Sequence, residues 1–324
     1  MKAAVLNELG KLPVYKEFPD PVPQNDEQVL IQVKAAAITN LDKGRASGKH
    51  YASYTNLPAV VGVDGVGILE DGTRVYAQGI TGMMAEKALI SKNRFTVLPD
   101  NLDYLTAAAL PNAVFGAAMA ILFRANMKKG DTILINGATG FTGQLAVQVA
   151  KHSEAAKIIA TGRSEAALEK LKQLGADITI SLKQDDEAIV KQLKDIHSST
   201  PVDIVIDYLW GHPAELIITA LKGSGLQGFT HKVRIVTAGS MAGEHIDLAS
   251  SILRSSDIEL VGSGFGSLSK EDVSKFGKKV LPEMFQLAAE GKLQIEVTTS
   301  SLENIESFWE QDVESGKRKV ITIG

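Results

Sequence analysis

The residues Ala138-Thr139-Gly140-Phe141-Thr142-Gly143 sit between a short apolar run, Ile133 to Ile135, and an apolar helical pattern that reaches Ala150. A strand, a glycine turn and a helix in that order can hold a dinucleotide. Gly140 would let the backbone approach a pyrophosphate, Gly143 would let the helix lie close to the strand, and the first helical amides would face the anion. Alanine replaces the first glycine of the usual spacing, and tight turns use glycine without any ligand, so the strand–turn–helix context carries the reading.

A carboxylate that binds an adenosine ribose diol stands about twenty residues past such glycines. Here that place reads Thr161-Gly162-Arg163-Ser164, and the next carboxylate is Glu165. A guanidinium and a hydroxyl suit a 2′-phosphate, which favours NADPH over NADH. Ser164 also fits the N-cap of the next helix and Arg163 a surface charge; an N-cap faces the same site, so the readings are compatible. Asp207-Tyr208-Leu209-Trp210-Gly211 ends a later strand, at the edge where such sheets bind ligands. Tyr208 and Trp210 there either face a nicotinamide pocket or pack at a domain junction. His152, His197, His212, His231 and His245 show no metal-ligand spacing.

The elements that must position these groups alternate. Strand-like runs at 157–161, 178–181, 202–207, 233–238 and 258–262 are separated by helical patterns at 164–174, 185–196 and 212–221, which predicts a parallel sheet wound on both faces. Before them, residues 2–99 read as short strands and proline- or glycine-marked bends, and 104–127 as an alanine-rich helix interrupted by Pro111. A helix from Phe276 to Glu290 and a strand-like tail from Lys319 to Ile323 follow.

At 324 residues the chain suits one large or two moderate domains. A net charge of -4 argues against a nucleic-acid surface, and the basic clusters Lys278-Lys279 and Lys317-Arg318-Lys319 read as solvated ends of elements. The absence of cysteine excludes disulfides, thiolate nucleophiles and sulfur-ligated zinc. The N-terminus lacks the apolar core of a signal peptide, and no run is expected to reach the ~20 apolar residues of a membrane span. The expectation is a soluble, cytoplasmic protein.

Several segments in collinear order resemble the medium-chain dehydrogenase/reductase superfamily, and within it the zinc-free quinone oxidoreductase group that includes zeta-crystallin. They are Met1-Lys-Ala-Ala-Val, Ile38-Thr-Asn-Leu-Asp42 with Arg45-x-x-Gly48, Gly62-Val-Asp-Gly-Val-Gly67, Gly82-Met-Met-Ala-Glu86, Leu98-Pro-Asp-x-Leu102, Ala107-Ala-Ala-Leu-Pro111, Gly137 to Gly143, and Gly291-Lys-Leu293. The resemblance implies an α/β chain: a GroES-like β-rich catalytic domain over 1–114, a Rossmann NADP-binding domain with a doubly wound parallel sheet over 115–262, and a segment, 263–324, returning to the catalytic domain. It also implies a homodimer and hydride transfer from a nicotinamide, in the cleft between domains, to a quinone or an α,β-unsaturated carbonyl. Relatives with catalytic zinc carry Gly-His-Glu at Gly62-Val63-Asp64, so their histidine ligand is Val63 here, and their cysteine ligands fall near Thr39 and Ala113.

By the same resemblance, Thr39, Asn40, His50 and Tyr51 are candidates to hydrogen-bond the substrate, with Thr39 in place of the group's asparagine and His50 near a common tyrosine. The backbone of Ala238, Gly239, Gly264 and Phe265 would lie along the nicotinamide, which adds them to the cofactor candidates already read from the residues: the loop Ala138 to Gly143 and the strand end at Asp207 and Tyr208. The lysine and tyrosine that usually hold the 2′-phosphate are replaced near Ala166 and Leu182, which leaves Gly162, Arg163, Ser164 and Lys183 for that role. Two alternatives stand beside the reductase: a non-catalytic, crystallin-like NADPH-binding protein, and an atypical short-chain reductase. Reductases of the second kind carry the glycine loop near their N-terminus and commonly use Tyr-x-x-x-Lys, whereas here about 130 residues precede the loop and no tyrosine has a lysine four positions on.

Overall fold

The computed structural model describes residues 1–223 and 230–324. The chain divides into two compact units, Met1–Asn112 with Gly277–Gly324, and Ala113–Phe276.

In the first unit, strands β1 (Lys2–Leu6), β2 (Val14–Glu17), β3 (Gln28–Ile38), β4 (Ala59–Val60), β5 (Asp64–Ile68), β6 (Arg74–Gly79) and β7 (Lys87–Val97) form two sheets. The smaller has the order β2-β1-β4. The larger closes on itself, because β3 pairs with β7 over Gln28–Gln32 and with β5 over Gln32–Ala35. Alternation in β3 sends Ile31 and Val33 inward and Leu30 and Gln32 outward. The C-terminal strand Lys317–Thr322 pairs antiparallel with β3, and Phe308, Trp309 and Ile321 join its core. The tail therefore completes the first unit's apolar interior. A helix that the strand-and-turn reading of 2–99 misses, α1 (Asn40–Ser47), follows β3 and ends at Gly48.

Helix α2 (Tyr104–Ala118) runs through Pro111 without a break and passes into a π-helical turn at Met119–Arg124, so the expected interruption is absent. Tyr104–Arg124 is also long and apolar enough by length and composition to cross a membrane, which corrects the expectation that no run reaches that length. Of its most apolar stretch, 67% is buried within the protein, as in the core helix of a folded domain.

The second unit holds β8 (Thr132–Asn136), α3 (Phe141–His152), β9 (Lys157–Gly162), α4 (Glu165–Leu174), β10 (Ile178–Ser181), α5 (Asp186–Ser199), β11 (Ile204–Asp207), α6 (Gly211–Leu221), β12 (Val233–Thr237) and β13 (Ile258–Gly262). The six strands are parallel in the order β10-β9-β8-β11-β12-β13. Every residue of β8 is buried, as a central strand covered on both faces requires. Order reverses between β8 and β11, so the carboxyl ends of these neighbours flank the crevice where such sheets take ligands. Toward the C-terminus the expected helix 276–290 starts earlier, as Lys270–Lys275, a π-turn at Phe276–Val280 and Leu281–Ala289.

Candidate functional site

The turn between β8 and α3 rests on a buried polar cluster. Asn136, at the end of β8, donates from Nδ2 to Asp207 Oδ1 (2.8 Å) at the end of β11 and accepts from Thr161 Oγ1 (2.6 Å) on β9. Thr161 Oγ1 in turn accepts from the Gly137 amide (3.1 Å). The Asp207 carboxylate also accepts from the Leu209 and Trp210 amides at 3.0–3.1 Å. Three adjacent strand ends and both following loops are thereby tied together. Burial raises the Asp207 pKa, and hydrogen bonds from the Leu209 amide, Asn136 and the Trp210 amide oppose the rise. Asp207, expected beside the cofactor, is only 1% exposed and turns its carboxylate inward, so it positions the turn. Asn136 and Thr161 escaped sequence reasoning because a polar residue at a strand end looks like any loop boundary.

The two glycines of the motif have different reasons. A Cβ on Gly143 would stand 2.6 Å from Ala138 Cα and 2.7 Å from Gly137 O, so glycine there is needed for α3 to lie against its own turn. Gly140 has φ -73°, open to any residue, and a Cβ on it would meet nothing nearer than Gly137 O at 3.9 Å. Neither conformation nor internal packing calls for glycine at 140. As N-cap, moreover, Gly140 offers α3 no side-chain acceptor, whereas Ser164 caps α4 and Asp185 caps α5. An anion arriving from outside would supply what the cap lacks.

Ser164 Oγ accepts from the Ala167 amide at 3.3 Å, the N-cap role expected of it. Arg163 is exposed and lacks a carboxylate partner among the described residues, and Gly162 packs beneath Thr139. Lys183 is exposed just past β10. Tyr208 is half-buried, its hydroxyl is shielded without a hydrogen-bond partner, and burial raises its pKa. Trp210 takes a positive φ of 53° ahead of α6. Ala238 follows β12 and donates to Asp207 O (2.8 Å), while Gly239 lies against Tyr208. Gly264 pairs both its amide and its carbonyl with Ser267 in a short turn, and Phe265, 63% exposed, stacks on Phe115 at 5.9 Å.

In the first unit the residues proposed for substrate contact separate. Thr39, only 3% exposed, gives its hydroxyl to Asp42 Oδ2 (2.5 Å) and accepts from the Asp42 amide (3.2 Å), a reciprocal cap on α1. The Thr39 hydroxyl hydrogen is thus spent on Asp42 within this cap. Asn40 is exposed on the first helical residue. Half-buried His50 accepts the Ala52 amide on Nδ1 (3.1 Å), and Tyr51, 88% exposed, lies against its ring at 4.2 Å.

Behind α1 lies a buried charged cluster that sequence reasoning missed. Asp42 Oδ1 accepts the Val63 amide (2.9 Å), and Asp64 Oδ2 accepts the Tyr76 hydroxyl (2.8 Å). Desolvation and the neighbouring Asp42 push the Asp64 pKa up to about 7, against the pull of Tyr76 and Arg318. Burial likewise raises the pKa of Asp42 and Tyr76, and it lowers that of Arg318, whose charge is sustained by Asp42 and Asp64. Arg318 belongs to the cluster 317–319 read as a solvated end; it is largely buried, and Lys319 is buried beside it with Nζ on the carbonyls of Phe308 (2.8 Å), Trp309 (3.0 Å) and Gln311.

A six-stranded parallel sheet with an uncapped glycine turn at its switch point is the arrangement that dinucleotide-binding folds use. Residues 142–282 match the zinc-binding dehydrogenase family. The chain is 32% identical over 207 residues to the chloroplastic NADPH-dependent alkenal/one oxidoreductase of Arabidopsis thaliana, a similarity that covers 57% of this chain and 53% of that protein, about half its length. It is 28% identical over 350 residues, with 95% and 96% covered, to the Emericella nidulans protein named probable NADPH-dependent quinone reductase tdiC. The solved quinone oxidoreductase of Pseudomonas syringae pv. Tomato DC3000 superposes with a TM-score of 0.79 at 21% identity over 99% of both chains, a likeness of fold. The chain is thus similar to zinc-binding dehydrogenases over most of its second unit, and to NADPH-dependent quinone and alkenal/one oxidoreductases over longer stretches.

Proposed function

We propose that the protein is an NADPH-dependent oxidoreductase that transfers hydride to a quinone or to the β-carbon of an α,β-unsaturated carbonyl. The observation that carries this reading is Gly140, a glycine with neither a conformational nor a packing reason, at the side-chain-free cap of α3 on the switch-point edge. The residues fit the cofactor. The α3 N-terminus from Gly140 to Gly143 would hold the pyrophosphate, and Arg163, Ser164 and Lys183 the 2′-phosphate, where a carboxylate would repel it. Tyr208, with its orphaned hydroxyl, and the backbone of Ala138, Ala238, Gly239 and Phe265 would line the rest. The names of the Arabidopsis and Emericella relatives, both NADPH-dependent, support the same choice.

When bound, NADPH supplies the hydride. The chain must hold the acceptor and stabilise the negative charge that develops on its oxygen, which hydrogen-bond donors do best away from water. Asn40, His50 and Tyr51 are the proposed donors. Because His50 Nδ1 accepts from Ala52, the neutral ring carries its hydrogen on Nε2 and donates from there. At the positions of the zinc relatives' ligands, Thr39 has spent its hydroxyl and Val63 has no ligand atom in its side chain, so the reading is zinc-independent. A cytoplasmic homodimer acting on a small molecule, without nucleic acid or membrane, completes it.

NADPH consumption with a panel of quinones and 2-enals tests this reading. Turnover on at least one acceptor is expected, and Arg163→Ala should weaken NADPH binding about tenfold while leaving NADH binding unchanged. Tight cofactor binding with no turnover on any acceptor would instead favour a non-catalytic binding protein.

A further inference from the structure

The first unit contains a pocket of about 300 Å³ lined by, among others, Phe18, Arg45, Tyr54, Gly62, Ile80 and Thr81. That is the small end of ligand pockets, which run from about 300 to about 1,000 Å³. Arg45 is the one charged side chain in its lining. Its Nε donates to Ala52 O (2.9 Å), and its guanidinium lies over the Tyr54 ring at 4.5 Å, with no carboxylate within ion-pair distance among the described residues. Asp42, the acid that feels its charge, is engaged by Thr39 and Val63. The Tyr54 hydroxyl is shielded from solvent without a hydrogen-bond partner, although the Gly62 amide approaches it. A half-buried guanidinium with unused N–H groups and a shielded phenol thus converge on one cavity that Phe18, Val60 and Ile80 help to wall.

We propose that this pocket binds a small aliphatic carboxylate, with Arg45 taking the charge, Tyr54 donating its hydroxyl hydrogen and the side chains of Phe18, Val60 and Ile80 holding the chain. The planar guanidinium fork matches a carboxylate. A phosphate dianion would keep an excess charge beside a single cation. The carboxylate is either the tail of a reducible unsaturated acid or a ligand that is not reduced, and the two sources are separable.

Isothermal titration of the full chain with sodium butyrate, butyramide and inorganic phosphate at fixed ionic strength tests the pocket without turnover, so the outcome is independent of the reductase reading. Butyrate should bind at least about tenfold tighter than either control, and Arg45→Gln should remove about tenfold. Tyr54→Phe keeps the ring beneath the guanidinium and should cost about threefold. Melting curves check the fold of each variant, and if Arg45→Gln does not fold, Tyr54→Phe decides alone. Equal binding of butyrate and butyramide, preference for phosphate, or unchanged butyrate binding in the folded variants would overturn the proposal. NADPH consumption with crotonate would assign the carboxylate to the substrate; crotonate bound but not reduced would assign it to a separate ligand.

Discussion

Each unit buries a polar cluster, but the two are built on opposite principles. In the second unit Asn136, Thr161 and Asp207 are linked by short hydrogen bonds from neighbouring strand ends, and amides of the following loops satisfy the one acid. In the first unit Asp42, Asp64, Tyr76 and Arg318 confront one another as ionisable groups, two acids against one guanidinium. A hydrogen-bonded cluster of this kind acts as a rigid support beneath the glycine turn. The ionisable cluster stores a desolvation cost that changes with pH.

The largest expected effect comes from the second kind. The Asp64 pKa is about 7 in the folded chain against an ordinary value of 3.8. Between those values the folded state holds a proton that the unfolded state has released, so stability falls as pH rises from about 4 to about 7 and levels off above. The full fall is on the order of 4 kcal/mol, taking about 1.4 kcal/mol for each pH unit between the two values. Asp64→Asn keeps an oxygen for the Tyr76 hydroxyl and removes the titration. Thermal midpoints from pH 4 to 8 should therefore decline in the parent and stay flatter in the variant; parallel curves would show that Asp64 does not titrate in this range.

Gly143→Ala and Gly140→Ala probe the support beneath the turn, and they should part company. An added methyl at 143 meets backbone at 2.6 Å, which cannot rotate away, so a loss of about 1–3 kcal/mol of stability is expected in denaturant titrations. At 140 the methyl has room, but alanine is a poorer N-cap than glycine, so a smaller loss, at most about 1 kcal/mol, is expected. NADPH affinity should nevertheless drop about tenfold, equivalent to about 1.4 kcal/mol. If Gly140→Ala binds NADPH as tightly as the parent, the open face of that glycine is not where the pyrophosphate lies.

The same contrast explains what could be read in advance. The strand–turn–helix at 132–152 is local: its glycines, apolar run and helical period lie within about two dozen residues, and the alternation behind it predicts the parallel sheet. The charged cluster brings Asp64 together with Arg318, residues from opposite ends of the chain, and nothing near Arg318 in sequence distinguishes it from a solvated surface charge. The cap on α1 is legible locally: the spacing of Thr39 to Asp42 is a capping signal, and the structure forms that box. Pro111 has the sequence signature of a helix interruption, yet α2 continues through it.

His212 provides the smallest test, because it sets an exposed ionic cluster beside the two buried ones. Its Nε2 lies 2.9 Å from Asp186 Oδ2 and its Nδ1 3.3 Å from Glu215 Oε2, so both ring nitrogens face carboxylates and the pair favours the imidazolium. The hydrogen bond to Asp186 and then that to Glu215 raise the His212 pKa above 6.5. A raised histidine adds stability that is fully present below 6.5 and is lost as pH climbs through the folded value, the same direction as Asp64 but from an opposite charge. Because the three side chains are solvated, salt should screen the effect, whereas the Asp64 decline should persist at high salt. His212→Gln should therefore remove only a shallow, salt-sensitive part of the fall in thermal midpoint above pH 6.5. A large or salt-insensitive change would mean that the α5–α6 contact depends on this pair in a way its exposure does not suggest.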